Sequence, residues 1–320
     1  MTELPDRTAL PDWIDSVPDE LPYPTVFVTV SGAHLYGFAS VDSDVDLRGV
    51  HVLPLSEVVG LRTGPETLER DEVRDGVELD LVTHELAKFS QLLLRRNGYV
   101  LEQLLSPLVV QTSVVHDELV ALTPACLTRH HSHHYLGFAD TQWRLFGTAR
   151  ELKPALYTLR VLLTGIHLMR TGEVVADLRS LHSGADLPYV PDLIEAKARG
   201  EHGGWDDGLV STDRLAQDVA RLRASLTEAA ASSTLPEASS AGPALHDLLV
   251  RVRLRRPDRS WAAGLADNRR PAIQTLWSDP LRRGGDGPDD PLVGGRVGHH
   301  GALGEALGAA DDDLAHAEHS

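Results

Sequence analysis

The clearest pattern in the chain is the run TVFVTV at Thr25–Val30, β-branched and largely apolar, short and stopped by Ser31-Gly32, which is the profile of a buried strand. DVDLRGVHVL, Asp44–Leu53, alternates apolar and polar positions and is closed by Pro54, and VELDLVT, Val77–Thr83, alternates again. Both predict strands with one face toward a core. From His84 the period becomes helical, first in HELAKFSQLLLRR ending at Asn97-Gly98 and then through most of the chain to about residue 275. Strands first and helices after predict an α+β domain over residues 21–125, followed by a mainly helical domain over 126–280. Residues 1–20, rich in Pro and Asp without a period, are expected to form an N-terminal arm or short capping turn. Ala229–Gly242, rich in Ala and Ser, reads as a linker between two helices. Residues 281–320 carry 9 of the 27 glycines and a DDD run, the composition of a disordered acidic tail.

Composition narrows the partners. The chain has 320 residues, 42% of them hydrophobic, and 30 Lys+Arg against 47 Asp+Glu give a net charge of −17. That length supplies a core without disulfides. A surface this acidic repels a phosphate backbone, so a polyanion must be held by a local basic cleft or through divalent cations. Cys126 stands alone, which excludes an internal disulfide and a zinc knuckle and favours a reducing, cytoplasmic setting. No apolar run approaches the ~20 residues of a membrane span, and the acidic, Pro-containing start does not resemble a signal peptide.

The richest chemistry lies in SGAHLYGFASVDSDVDLRG, Ser31–Gly49. A glycine turn directly after a strand can present backbone N–H groups to phosphate oxygens, although Gly32 and Gly37 suit an ordinary turn as well. Asp44 and Asp46 share one strand face with Cα atoms roughly 6.6 Å apart. Like charges so close are costly unless divalent cations share them, or unless the face is simply solvated. Asp42 has the same parity but belongs to the turn beside Ser43. On the third strand Glu78 and Asp80 share the polar face, and one of them can complete a three-carboxylate group that positions an attacking hydroxyl.

These residues resemble the DNA polymerase β nucleotidyltransferase superfamily. SGAHLYGFASVDSDVDLRGV, LDLVTHELAKFSQLLLRRNGYVLEQL and ELKPALYTLRVLLTGIHLMRTGEV resemble, more narrowly, the bacterial predicted nucleotidyltransferases of the RNA repair pathway polymerase β family. The resemblance covers about residues 25–205. It implies a small mixed sheet with flanking helices, a helical second domain, and transfer of a nucleoside monophosphate from a nucleoside triphosphate to a hydroxyl, an RNA end among the acceptors. It also implies two Mg²⁺ ions, with Mn²⁺ as a substitute. Asp44 and Asp46 match the metal-binding pair, and Asp80 matches the third, catalytic carboxylate. Ser31 and Gly32 match the phosphate loop, where Ala33 departs from the usual Ser. Losing one neutral hydrogen bond weakens phosphate binding by ~0.5–1.5 kcal/mol, and it leaves a non-catalytic nucleotide-binding or partner-binding relative as an alternative. An antitoxin-like protein that adenylylates a partner is a third reading.

Leu152–Arg170 predicts a helix with Leu152, Leu156, Leu159, Leu163 and Ile166 on one buried face. Lys153, Tyr157, Arg160, Thr164 and His167 form a polar stripe that either meets solvent or lines a cleft. The resemblance favours the cleft, with Lys153 on phosphate and Tyr157 and Arg160 beside it. Lys88, Arg95 and Arg96 suit either a substrate or the end of their helix. The His130–His134 run lacks ligand-spaced partners and reads as a polar helix start, and Cys126 reads as a small core residue.

Overall fold

A computed structural model describes residues 10–200 and 204–254. The expected tail at 281–320, the helix expected beyond residue 254 and the first nine residues of the arm lie outside them. Strands β1 (Thr25–Val30), β2 (Val45–His51), β3 (Thr67–Arg74), β4 (Val77–Glu85) and β5 (Val109–Gln111) form a mixed five-stranded sheet in the order β3-β4-β2-β1-β5. Only β2 and β4 run parallel; the other pairs are antiparallel. Every residue of β1 is buried, which is why its sequence does not alternate.

The helices are α1 (Gly32–Tyr36), α2 (Ser56–Val59), α3 (Leu86–Leu94), α4 (Gly98–Leu104), α5 (Val114–Cys126) and α6 (His131–Ala149), then α7 (Leu152–Thr171), α8 (Leu178–Leu181), α9 (Val190–Ala198), α10 (Thr212–Ser232) and α11 (Gly242–Leu254). Local chemistry sets several boundaries. Glu85 caps α3 by accepting from Ala87 N–H, Asn97 caps α4 by accepting from Tyr99 and Val100, and Ser113 caps α5 by accepting from His116. Residues 233–241 separate α10 from α11 without regular structure, as the Ala- and Ser-rich composition suggested.

The two faces of the sheet bury different material. Val28, Val30, Val45, Leu47, Leu79 and Leu81 pack with Leu10, Ile14 and Val17, so the N-terminal segment, a 3₁₀ helix at Asp12–Glu20, covers one face. Those β2 and β4 residues have odd numbers. Their even-numbered neighbours Asp46, Arg48 and Asp80 therefore stand on the opposite face. There a second apolar cluster runs from Val26 and Phe27 through α3, α6 and α7 to Val252. Cys126 belongs to it, fully buried, with its thiol pushed up to about 11 by desolvation.

Helix α7 differs from its expected amphipathic form. It packs against α6, α8, α9 and α10, and only Lys153, His167, Arg170 and Thr171 escape burial. Its polar stripe consequently meets protein. Thr164 donates to the Val175 carbonyl at 2.9 Å, and Arg160 is an interior residue.

Candidate active site

Three chain segments meet at the site because of strand order. Antiparallel pairing sets Val30 of β1 opposite Leu47 of β2, so the turn leaving β1 lies beside the start of β2. Ser31 N–H donates to the Asp46 carbonyl at 2.9 Å. Parallel pairing sets Asp46 opposite Asp80, and equal register in a parallel pair directs both side chains to one face.

Arg48 joins them. One guanidinium nitrogen, Nη2, donates to Asp46 Oδ1 at 3.0 Å and to Asp80 Oδ2 at 2.7 Å. The other, Nη1, donates to Asp80 Oδ1 at 3.2 Å and to the main-chain carbonyls of Asp80 at 2.8 Å and Leu47 at 3.0 Å. The fork is therefore bidentate on Asp80. Burial alone would push the Arg48 guanidinium down, but Tyr99, Asp46 and Asp80 outweigh it and hold it well above its usual value. The Arg48 side chain is 8% exposed, against 22% for Asp46 and 42% for Asp80. The cation lies beneath the two carboxylates, which remain open to solvent.

Gly32 is part of the same arrangement. Its φ is +60°, and a Cβ built there would stand 1.7 Å from Asp46 Oδ2. The loop backbone thus approaches the carboxylate as only glycine allows. Ser31 beside it is fully buried, and its hydroxyl has no hydrogen-bond partner among the described residues. Ala33 points inward, 5% exposed in the core cluster with Leu35 and Tyr36. Asp44, half-buried, precedes β2 by one residue and shares the parity of Asp46.

The expected nucleotide contacts on α7 divide. Lys153 is half-buried in the first turn of the helix. Tyr157 is 7% exposed, its ring edge-on to Tyr36 at 5.4 Å and to Phe38 at 5.2 Å. Arg160 is turned inward: it is 1% exposed, pairs with Glu102 Oε1 at 2.6 Å and stacks at 3.8 Å over the Tyr36 ring. Its charge is used inside the fold, because a guanidinium at this depth requires an anion beside it. The stripe therefore grips α1, the helix that follows Gly32, and Arg160 faces no cleft. Lys88 likewise donates to Thr67 Oγ1 at 2.7 Å.

Among the described residues no group of three or more His, Cys, Asp or Glu side chains is placed to hold a metal by itself. Asp46 and Asp80 nevertheless suit Mg²⁺, which typically takes one or two carboxylates and completes its shell with water and substrate phosphates. Both offer hard oxygen donors, and both are partly exposed.

Residues 11–251 match the family described as the RNA repair pathway DNA polymerase β family. An uncharacterized protein of Methanocaldococcus jannaschii is 31% identical over 178 residues, covering 54% of this chain and 72% of that protein. A solved nucleotidyltransferase-like protein from Exiguobacterium sibiricum aligns over 76% of this chain and 78% of its own at 15% identity, with a TM-score of 0.25, too low to carry a structural argument. No helix among the described residues is long and apolar enough to cross a membrane.

Proposed function

Since the chain belongs to the RNA repair pathway DNA polymerase β family, and so to the polymerase-β-type nucleotidyltransferases, we propose that it transfers a nucleoside monophosphate from a nucleoside triphosphate to a hydroxyl group, which loses its proton as the α–β phosphoanhydride bond breaks and pyrophosphate leaves. The observation that carries this reading is the register pair Asp46–Asp80 closed on one side by the Gly32 turn. Asp46 and Asp80, with Asp44 on the same side, would hold Mg²⁺, which when bound neutralises triphosphate charge and polarises the phosphate under attack.

The remaining work belongs to the chain's own residues. The main chain at Ser31–Gly32 lies against Asp46 without a side chain between them, so a phosphate there is held next to the carboxylates. Lys153 supplies positive charge from the first turn of α7. Asp80, the more exposed carboxylate, is the one an acceptor hydroxyl reaches, and it orients that hydroxyl for in-line attack. The family description points to an RNA end as the acceptor. The net charge of −17 restricts such contact to a short terminus.

Incubation with each of the four labelled nucleoside triphosphates, Mg²⁺ and total RNA tests the proposal, with Asp46→Asn as the control. Label should pass to RNA, or to another hydroxyl-bearing component, only with the native protein. No transfer from any triphosphate to any acceptor would leave the nucleotide-binding, non-catalytic reading, which the buried methyl of Ala33 in the turn favours.

A further inference from the structure

Beside the carboxylates, and bonded to both, stands Arg48. Two carboxylates facing each other require a countercharge, and a site that relied on Mg²⁺ for this would be repulsive whenever the ion was absent. Here the countercharge is built in. The guanidinium takes both oxygens of Asp80 and one of Asp46, and two backbone carbonyls fix it from below. At 8% exposure it is not poised to swing away. An incoming divalent ion therefore meets carboxylates that are already half-neutralised, with a fixed positive charge behind them.

Resting on the metal-dependent reading above, we infer that Arg48 is a resident counter-cation that holds the Asp46–Asp80 pair in register and makes divalent-ion binding depend on the simultaneous presence of the triphosphate. With Asp44 on the same side, three carboxylates and one guanidinium carry two net negative charges between them, one fewer than the carboxylates alone, and the guanidinium repels an incoming dication. Triphosphate oxygens supply both the missing ligands and the missing negative charge. Ion and nucleotide must then favour each other's binding reciprocally. Arg48 is a positioning residue in this scheme: it touches the carboxylates and leaves the substrate to them.

The inference is tested with Mn²⁺ as the ion and inorganic tripolyphosphate as a base-independent substitute for the nucleotide. Thermal melts of the native protein with Mn²⁺ alone, tripolyphosphate alone and both should show a combined shift larger than the two separate shifts added. Additive shifts would overturn the role of Arg48 even if no variant folds. In Arg48→Gln, Mn²⁺ alone, titrated by the electron paramagnetic resonance of the free ion, should bind roughly tenfold tighter or more than in the native protein, because a charge a few ångströms away has been removed. An Arg48→Gln protein that folds only with Mn²⁺ present supports the same conclusion, the ion having taken the guanidinium's place. Equal Mn²⁺ affinity in a folded variant and the native protein refutes the inference and leaves the metal reading standing. Absence of any effect of Mn²⁺, with or without tripolyphosphate, refutes the metal reading itself.

Discussion

Glu102→Gln should cost about 3–5 kcal/mol of stability, because it strands the Arg160 guanidinium in the interior without its anion. The pair is almost fully dehydrated, with side-chain exposures of 1% for Arg160 and 2% for Glu102 and a contact of 2.6 Å. Burial opposes the charge on Arg160, but Glu102, the first of the groups countering it, holds the guanidinium well above its usual value. The amide keeps the volume of the carboxyl and removes only charge, so cavity formation does not contribute. For a domain of this size the loss corresponds to a melting point lowered by roughly 6–20 °C. Urea titration of Glu102→Leu, Arg160→Met and the two combined forms a double-mutant cycle, with Glu102→Gln measured beside it. Each single change should be severe. The apolar pair should recover most of the loss, since desolvation offsets much of what a buried ion pair contributes. Single-variant costs below about 1 kcal/mol, or a double variant equal to the sum of the singles, would refute the reasoning. Because the guanidinium stacks on Tyr36 in the helix leaving Gly32, Glu102→Gln should also reduce the stabilisation that a nucleoside triphosphate with Mg²⁺ confers.

Gly32→Ala should destabilise the protein by about 1–3 kcal/mol and abolish triphosphate-induced stabilisation, since its methyl would occupy the place of Asp46 Oδ2 at a positive φ; a melt unchanged in both respects would contradict this. Asp46→Asn should remove transfer activity and lower stability by about 1–2 kcal/mol, because Arg48 loses a charge-assisted partner and that loss outweighs any relief of repulsion; a stabilised variant would show that repulsion dominates. His131, fully buried and held down to about 4 from an ordinary 6.5 chiefly by desolvation, binds its proton more readily unfolded than folded. Stability should therefore be complete above pH 6.5 and fall as pH drops from there toward 4. Urea midpoints at about pH 7.5 and about pH 5 should differ by about 2 kcal/mol from this residue alone, and equal midpoints would rule it out.

How far the fold was legible depended on whether burial left a trace in the residue pattern. β1 was legible to the residue because a strand covered on both faces carries an apolar run broken only by Thr25 and Thr29, whose hydroxyls bond to Gln111 Oε1 and to the Gln103 carbonyl. β4 was legible through alternation. β3 was not, since TLERDEVR lies at the sheet edge, where exposed residues alternate with half-buried ones that are themselves mostly charged, and no apolar face forms. Its signal was the turn: Asp75 and Gly76 both take positive φ, at 53° and 82°, as a type I′ hairpin requires. The first twenty residues hid their role for a different reason. Ile14 and Val17 cover a sheet face from a 3₁₀ helix, and isolated apolar residues among prolines and aspartates have no period to detect.

The site shows the same division between facing and depth. Parity along β2 and β4 was enough to place Asp46 and Asp80 on a shared polar side, because alternation is a property of the strand itself. The same parity includes position 48, so Arg48 could have been added by continuing the count two residues further. Its countercharge role could not, because that depends on β2 lying parallel to β4 in a register that no local pattern encodes. On α7 the limit falls the other way. Helical periodicity places Lys153, Tyr157 and Arg160 on one line, yet whether that line meets solvent, ligand or protein is decided by what packs on it. Helix α1, entered through Gly32, presents Tyr36 to that line, and Glu102 of α4 supplies the anion that lets Arg160 be buried there. Two arginines thus support the candidate site from inside the protein, Arg48 under the carboxylates and Arg160 behind the turn at Gly32. In a chain carrying net charge −17, burying them places positive charge beside the carboxylates and leaves the surface acidic, so under the proposed function binding would select a compact, metal-associated polyphosphate over a long nucleic-acid backbone.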